Sequence, residues 1–151
     1  MTATAAPTAS SDTDVSHTTA VSAPTAPGRL LVPGLVSGAV AAAATSVTVL
    51  VAHAIGEDVA IAGEQVPVAG FAQFVLVGAL LGVALAKVFA RKAAHPRLTF
   101  VRTTVGLTAL SIVPDVVVDA TTGTKLVLAL THVIAASIII PVLAGRLPES
   151  A

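Results

Sequence analysis

Six of the polar side chains in or near the long apolar runs of this 151-residue chain are of types that could handle protons or cations. An ionisable side chain at the centre of a bilayer costs about 2.5–3.5 kcal/mol on insertion scales, so it usually faces protein or water. A carboxylate beside an imidazole can exchange a proton with it. The six residues are His53, Gln73, Asp115, Asp119, Lys125 and His132.

Asp115 and Asp119 have the most suggestive spacing, because they are one helical turn apart and share a helix face. Pro114 lacks the backbone donor that would bond the carbonyl of Leu110, so a free carbonyl is expected near these carboxylates. Together these groups could hold a proton, a cation or a water. With His132, two turns into the next apolar run, Asp115 could form a proton relay.

A purely structural interpretation of the same residues stands beside this one. In it, Asp115 pairs with Lys125, and His132 donates to a backbone carbonyl. Asp119 and His53 then lie in water at the membrane surface. We expect no metal site and no cofactor, because the spacing of these groups matches no compact ligand motif.

Four long apolar runs must position these side chains. The chain is 55% hydrophobic and only 11% charged, whereas ordinary soluble domains are about 25% charged. A bilayer core about 30 Å thick requires about 20 apolar residues in a helix. We therefore predict an all-α polytopic membrane protein, an antiparallel bundle of four transmembrane helices. The runs are Leu30–Ile55, Val68–Phe89, Thr103–Val118 and Leu126–Leu143, within spans of about 30–55, 67–90, 98–118 and 125–144.

The chain outside these spans is polar. Residues 1–28 are almost all Ala, Thr, Ser, Pro and Val, a composition that predicts a disordered tail and lacks the features of a secretory signal peptide. The predicted membrane domain is 29–147, followed by a short C-terminal end of residues 148–151.

The basic residues predict the orientation of the bundle. If all four runs span, seven of the eight Lys and Arg residues fall on one side. The loop between the first two runs instead carries Glu57, Asp58 and Glu64. Because basic loops stay in the cytoplasm, we expect both termini on the cytoplasmic side of the cell membrane. The six polar residues then lie in the outer half of the bundle. The seven basic residues are Arg29, Lys87, Arg91, Lys92, Arg97, Arg102 and Arg146.

Two glycine motifs predict close helix contacts. Gly34 and Gly38 form a GxxxG motif in the first run, and Gly78 and Gly82 form one in the second. Two glycines one turn apart let another backbone approach closely. Packing within the chain is the favoured interpretation, and a homo-oligomer or a contact with another membrane protein is the alternative.

The basic stretch between the second and third runs could bind anionic lipid headgroups, through Arg91, Lys92, Arg97 and Arg102, although setting the topology already explains these charges. The sequence contains no phosphate-binding glycine loop, nucleophile elbow or HExxH motif. We therefore expect no enzyme, and the small number of charges excludes a nucleic-acid-binding role.

The stretch from Ala120 to Arg146 resembles the end of a family of small four-helix bacterial membrane proteins of unknown function. It carries that family's Thr-Lys…His…Pro…Arg pattern in Thr124, Lys125, His132, Pro141 and Arg146. The likeness in layout covers residues 29–147. It implies the four-helix topology and draws attention to Lys125, His132 and Pro141, and it implies no activity.

These observations favour a non-enzymatic structural or interaction protein of the cell membrane, in contact with lipid and with itself or another membrane protein. The alternative is a small proton- or cation-coupled transporter that uses Asp115, His132 and Gln73. The chain has the size of small multidrug exporters, but its first run contains no embedded Glu and the chain is nearly free of aromatic residues.

Overall fold

The computed structural model describes the backbone of residues 28–150 and the side chains from Leu30 onward. The tail predicted for residues 1–28 falls outside this part, except for Gly28, where the first helix begins. Four long helices make up the described chain. They are α1 (Gly28–Ala54), α2 (Val68–Lys92), α3 (Pro96–Val117) and α4 (Thr122–Ala144).

The prediction of an all-α bundle is confirmed. Each of the four helices is long and apolar enough to cross a membrane. Helices suit that solvent because all their backbone groups bond within the segment. Consecutive helices run antiparallel, since their connections are short. α1 packs between α2 and α4, while α3 packs mainly on α4 and less on α2.

The connection between α1 and α2 was predicted as a loop and contains a small β-hairpin. Strands β1 (Ala60–Ile61) and β2 (Glu64–Gln65) pair antiparallel. The two residues between them have positive φ, 51° at Ala62 and 81° at Gly63, as a tight two-residue hairpin turn requires. We call the end of the bundle with this hairpin the hairpin end, and the opposite end, which carries Arg91 and Lys92, the basic end.

At the basic end, glycines let three helices meet around Leu143, which is fully buried. A Cβ on Gly34 of α1 would overlap Val83 of α2 and lie 3.5 Å from Leu143. A Cβ on Gly82 of α2 would lie 3.3 Å from Leu143. Because both glycines lack a side chain, the leucine of α4 enters between α1 and α2.

α3 is displaced along its axis toward the basic end relative to α4. Its second residue, Arg97, donates its backbone N–H to the carbonyl of Pro148, beyond the end of α4, at 3.2 Å. At the hairpin end, the segment Val118–Thr121 runs alongside the first turns of α4, and its backbone is extended at both Val118 and Thr121. The hairpin covers this irregular segment, because Ala62 donates its N–H to the carbonyl of Asp119 at 2.9 Å. Irregular backbone at membrane depth requires such a protein partner.

Candidate functional site

Asp115 and His132 come together between α3 and α4. His132 Nδ1 lies 2.9 Å from Asp115 Oδ2, and the side chains are 38% and 12% exposed respectively. The sequence offered two possible partners for Asp115, namely Lys125 and His132. The structure brings the imidazole to the carboxylate, and Lys125 has no carboxylate within ion-pair distance in the part of the chain described.

The two side chains differ in how well their hydrogen-bonding groups are satisfied. His132 Nδ1 also lies 3.1 Å from the carbonyl oxygen of Leu128, one turn earlier in α4, and its ring N–H is well directed to that oxygen. Asp115 Oδ2 is buried and accepts no well-directed hydrogen bond from any described residue. The imidazole therefore has a second acceptor, whereas the carboxylate depends on the imidazole beside it.

The displacement of α3 sets the depth of this pair. Asp115 is two residues before the end of α3, but His132 is seven residues beyond Lys125, so the pair lies about 10 Å below Lys125 along α4. Lys125 lies in the first turn of α4, where a lipid headgroup or water would meet it. The pair thus lies within the apolar layer, nearer the hairpin end.

A row of hydroxyl side chains continues from Asp115 along the bundle-facing side of α3. Thr104, Thr108 and Ser111 precede Asp115 at helical spacing, and all three are partly buried. Each donates to a carbonyl of its own helix, at 2.7 Å from Thr104 to Phe100, 2.9 Å from Thr108 to Thr104 and 2.7 Å from Ser111 to Thr108. Their oxygen lone pairs stay available as acceptors. The sequence analysis missed this row, although the 4-3-4 spacing of 104, 108, 111 and 115 is visible in the sequence.

The other polar residues singled out from the sequence do not join the pair. Gln73 is exposed on α2, and Asp119 is exposed beyond the end of α3, where its backbone carbonyl bonds the hairpin. His53 and Lys125 are partly buried near the hairpin end of α1 and α4. Among the described residues, no group of three or more His, Asp or Glu side chains could hold a metal ion.

A second polar cluster lies at the hairpin end, and its contact with Glu57 was not predicted from the sequence. Thr121 caps α4 by accepting the N–H of Thr124 at 3.0 Å, and its hydroxyl lies 2.6 Å from Oε1 of Glu57. A Cβ on Gly123 would overlap that carboxylate. Glu57 therefore lies on the first turn of α4, where a negative charge complements the helix dipole. The cluster ties the connection between α1 and α2 to the start of α4 and is structural.

The four glycines of the two motifs have different surroundings. A Cβ on Gly38 would lie 2.7 Å from Cβ of Ala79 on α2, and Gly34 and Gly82 meet the side chains described above. Gly78 has no side chain within 4 Å. Helix rotation thus places three glycines inside the described bundle and leaves the fourth on its surface.

The four basic residues singled out for lipid headgroups all lie at the basic end. Arg91 and Lys92 end α2 and are exposed, and Arg102 is exposed in the second turn of α3. Arg97 donates to Oε1 of Glu149 at 2.9 Å. This exposed pair links the C-terminal segment to the start of α3.

Comparison with known proteins bears on the whole bundle. The model of a family of unknown function, DUF6069, matches residues 25–149. The chain belongs to this family. The match extends the resemblance seen in the last third of the sequence across all four helices. No curated protein and no solved structure matches the chain. Membership in DUF6069 assigns no activity to the chain, and its four apolar helices fit an uncharacterised membrane protein.

Proposed function

We propose that the protein is a non-enzymatic integral membrane protein of the cell membrane, with both termini in the cytoplasm, that acts by helix contact with a second copy of itself. One observation carries this proposal: the exposed surface of α2 presents an amide that bonds no other described residue, and an open glycine lies farther along the same helix. The amide belongs to Gln73 and the glycine is Gly78.

Gln73 needs a hydrogen-bonding partner at this position. It is five residues, or about 8 Å, inside the start of α2, and its exposed side chain bonds none of the described residues. Transferring an amide to a medium without hydrogen-bonding groups costs about 4–8 kcal/mol. The amide both donates and accepts, so two copies related by a two-fold axis satisfy each other.

Two other exposed residues of α2 favour a second helix as the source of that partner. Gly78 has open space around it, so a neighbouring backbone can approach closely. Phe74, one turn before Gly78, is 77% exposed. In a symmetric pair, the aromatic ring of one copy covers the glycine of the other.

Association of the purified chain in lipid vesicles, measured by energy transfer between labelled copies at increasing dilution, tests this proposal. We expect Gln73→Leu to weaken association about 5-fold, since an interhelical hydrogen bond contributes about 1 kcal/mol. Gly78→Leu blocks close approach and is expected to weaken association about 10-fold or more.

Gly106→Leu is the matched control, because Gly106 of α3 also has nothing within 4 Å and lies on another face. It should leave association unchanged. A monomeric wild-type chain in vesicles would contradict the proposal, and so would association that neither α2 substitution weakens. Association of the α2 face with a different membrane protein instead of a second copy would also contradict it.

A proton-coupled transporter is the second candidate, and the Asp115–His132 contact favours it. The pair lies at membrane depth, and hydroxyl oxygens follow it along α3 toward the basic end. The other titratable groups of the hairpin half form no ion pair with another described residue, and they are His53, Glu57, Asp58, Glu64, Asp119 and Lys125.

This candidate predicts proton flux in vesicles that contain the protein, measured with a pH-sensitive dye under an imposed pH gradient. Asp115→Asn keeps the size of the side chain but removes its charge and its proton, so flux should fall to the level of empty vesicles. Asp119→Asn, outside the pair, is the control and should conduct as the wild type does. Equal flux from wild type and Asp115→Asn would eliminate the candidate.

A further inference from the structure

A groove runs between α1 and α4 on the membrane-facing surface, at the basic end. Its volume is about 390 Å³, within the range of about 300–1,000 Å³ typical of small-molecule sites. Its walls are almost entirely aliphatic, and a single basic side chain stands at one end. The lining includes Val32, Val36 and Val40 of α1, Ile138 and Val142 of α4, and Arg146.

The groove is aligned with the membrane normal. Val32 and Val40 are eight residues apart in α1, so the apolar wall extends about 12 Å along the helix. Ile138 and Val142 form the facing wall from α4, and Arg146 follows two residues after that helix ends. The groove therefore leads from the charged surface of the protein into the apolar layer.

Arg146 has no acidic partner in the described chain. Among the described side chains, Arg97 pairs with Glu149 and His132 lies beside Asp115, and neither contact involves Arg146. The guanidinium group of Arg146 is exposed at the mouth of the groove. A guanidinium group binds phosphate through two parallel hydrogen bonds, with a geometry that an ammonium group cannot match.

We propose that this groove binds one anionic phospholipid. An acyl chain lies against Val36, Val40 and Ile138, and the phosphate is held by Arg146. A phospholipid is the ligand that joins a phosphate to a hydrocarbon chain, with the two parts in the order in which the groove presents its charge and its apolar wall. A second helix would fill the apolar wall but would leave the guanidinium without an anion.

Retention of lipid by the purified full-length chain, measured by native mass spectrometry from detergent with added phosphatidylglycerol or phosphatidylcholine, tests this site. We expect the wild type to retain phosphatidylglycerol in preference to phosphatidylcholine. Arg146→Gln should lower phosphatidylglycerol retention about 5-fold, because one basic residue at such a surface contributes about 1 kcal/mol. Val36→Trp, which fills the groove, should reduce the retention of both lipids.

Lys87→Gln is the control, since Lys87 is a basic residue near the same end of the bundle and outside the groove. It should keep the lipid preference. Equal losses in Arg146→Gln and Lys87→Gln would show a diffuse basic surface and overturn the site. Wild-type protein without a preference, or Val36→Trp protein with unchanged retention, would overturn it as well. Circular dichroism confirms that each variant is folded.

Discussion

Replacing Gly38 by leucine is expected to lower the free energy of unfolding by about 3 kcal/mol. A Cβ at this position would lie 2.7 Å from Cβ of Ala79, which is 1% exposed. Both atoms are fixed by their backbones, so no side-chain rotation relieves the overlap, and α1 must move away from α2. Overpacking of a close-packed core typically costs about 1–3 kcal/mol, and more where backbone has to shift. Unfolding in mixed micelles, followed by circular dichroism, measures the loss.

Gly106→Leu supplies the comparison for this prediction. The same side chain is added to a helix of the same bundle, but nothing lies within 4 Å of the new Cβ. Its stability should match that of the wild type or exceed it slightly, since glycine is a poor helix former. Equal stability of Gly38→Leu and Gly106→Leu would mean that α1 and α2 do not meet as described.

His132→Leu is expected to destabilise the protein by about 3 kcal/mol at neutral pH. The substitution removes the nitrogen that lies 2.9 Å from Asp115 and leaves a carboxyl group that is only 12% exposed without its polar neighbour. Leaving a buried polar group without its partner costs about 1–3 kcal/mol, and more if the group is charged. Unfolding in mixed micelles measures this change too.

The reverse substitution, Asp115→Leu, should cost less than about 1 kcal/mol. His132 keeps the Leu128 carbonyl as an acceptor at 3.1 Å, so its imidazole stays satisfied. The double variant should recover most of the stability that His132→Leu loses, because it leaves no unpaired polar group behind. Equal losses in the two single variants, or a double variant at least as unstable as their sum, would contradict the one-sided dependence of the carboxylate on the imidazole.

The helices were predictable because their cause is local. A long apolar run in lipid needs a backbone whose polar groups bond within the segment, so the runs define helices wherever they occur. The boundaries follow from local chemistry as well. Pro96 starts α3 at its first turn, and the Thr121 side chain starts α4 by capping it.

The partner of Asp115 was not predictable, because it depends on how far α3 slides along α4. If the two helices began level on either side of their short connection, Asp115 would lie opposite residues near Thr124 and Lys125. The extended segment Val118–Thr121 instead lets α3 end deeper, which brings Asp115 to His132. This displacement is set by the hairpin over that segment and by the Arg97–Pro148 contact, both distant in sequence.

The role of each glycine also depends on tertiary structure. Gly78 and Gly82 are equivalent in sequence, but Gly82 meets Leu143 and Gly78 faces open space. The stretch of residues 75–86 around both glycines is apolar on all sides, so it contains no amphipathic pattern that fixes how the helix is rotated there. The rotation comes instead from how Leu143 and Val83 fill the space beside the glycines.

Labelling of single cysteines in intact cells tests the central claim, four membrane crossings with the hairpin end outside, most directly. The chain has no cysteine, so each introduced thiol is the only target of a membrane-impermeant maleimide. Glu64→Cys and Asp119→Cys lie at the hairpin end and Lys92→Cys at the basic end, and all three positions are exposed. We expect the first two to be labelled in intact cells and Lys92→Cys only after the membrane is permeabilised. Labelling of Lys92→Cys together with the other two in intact cells would contradict the claim.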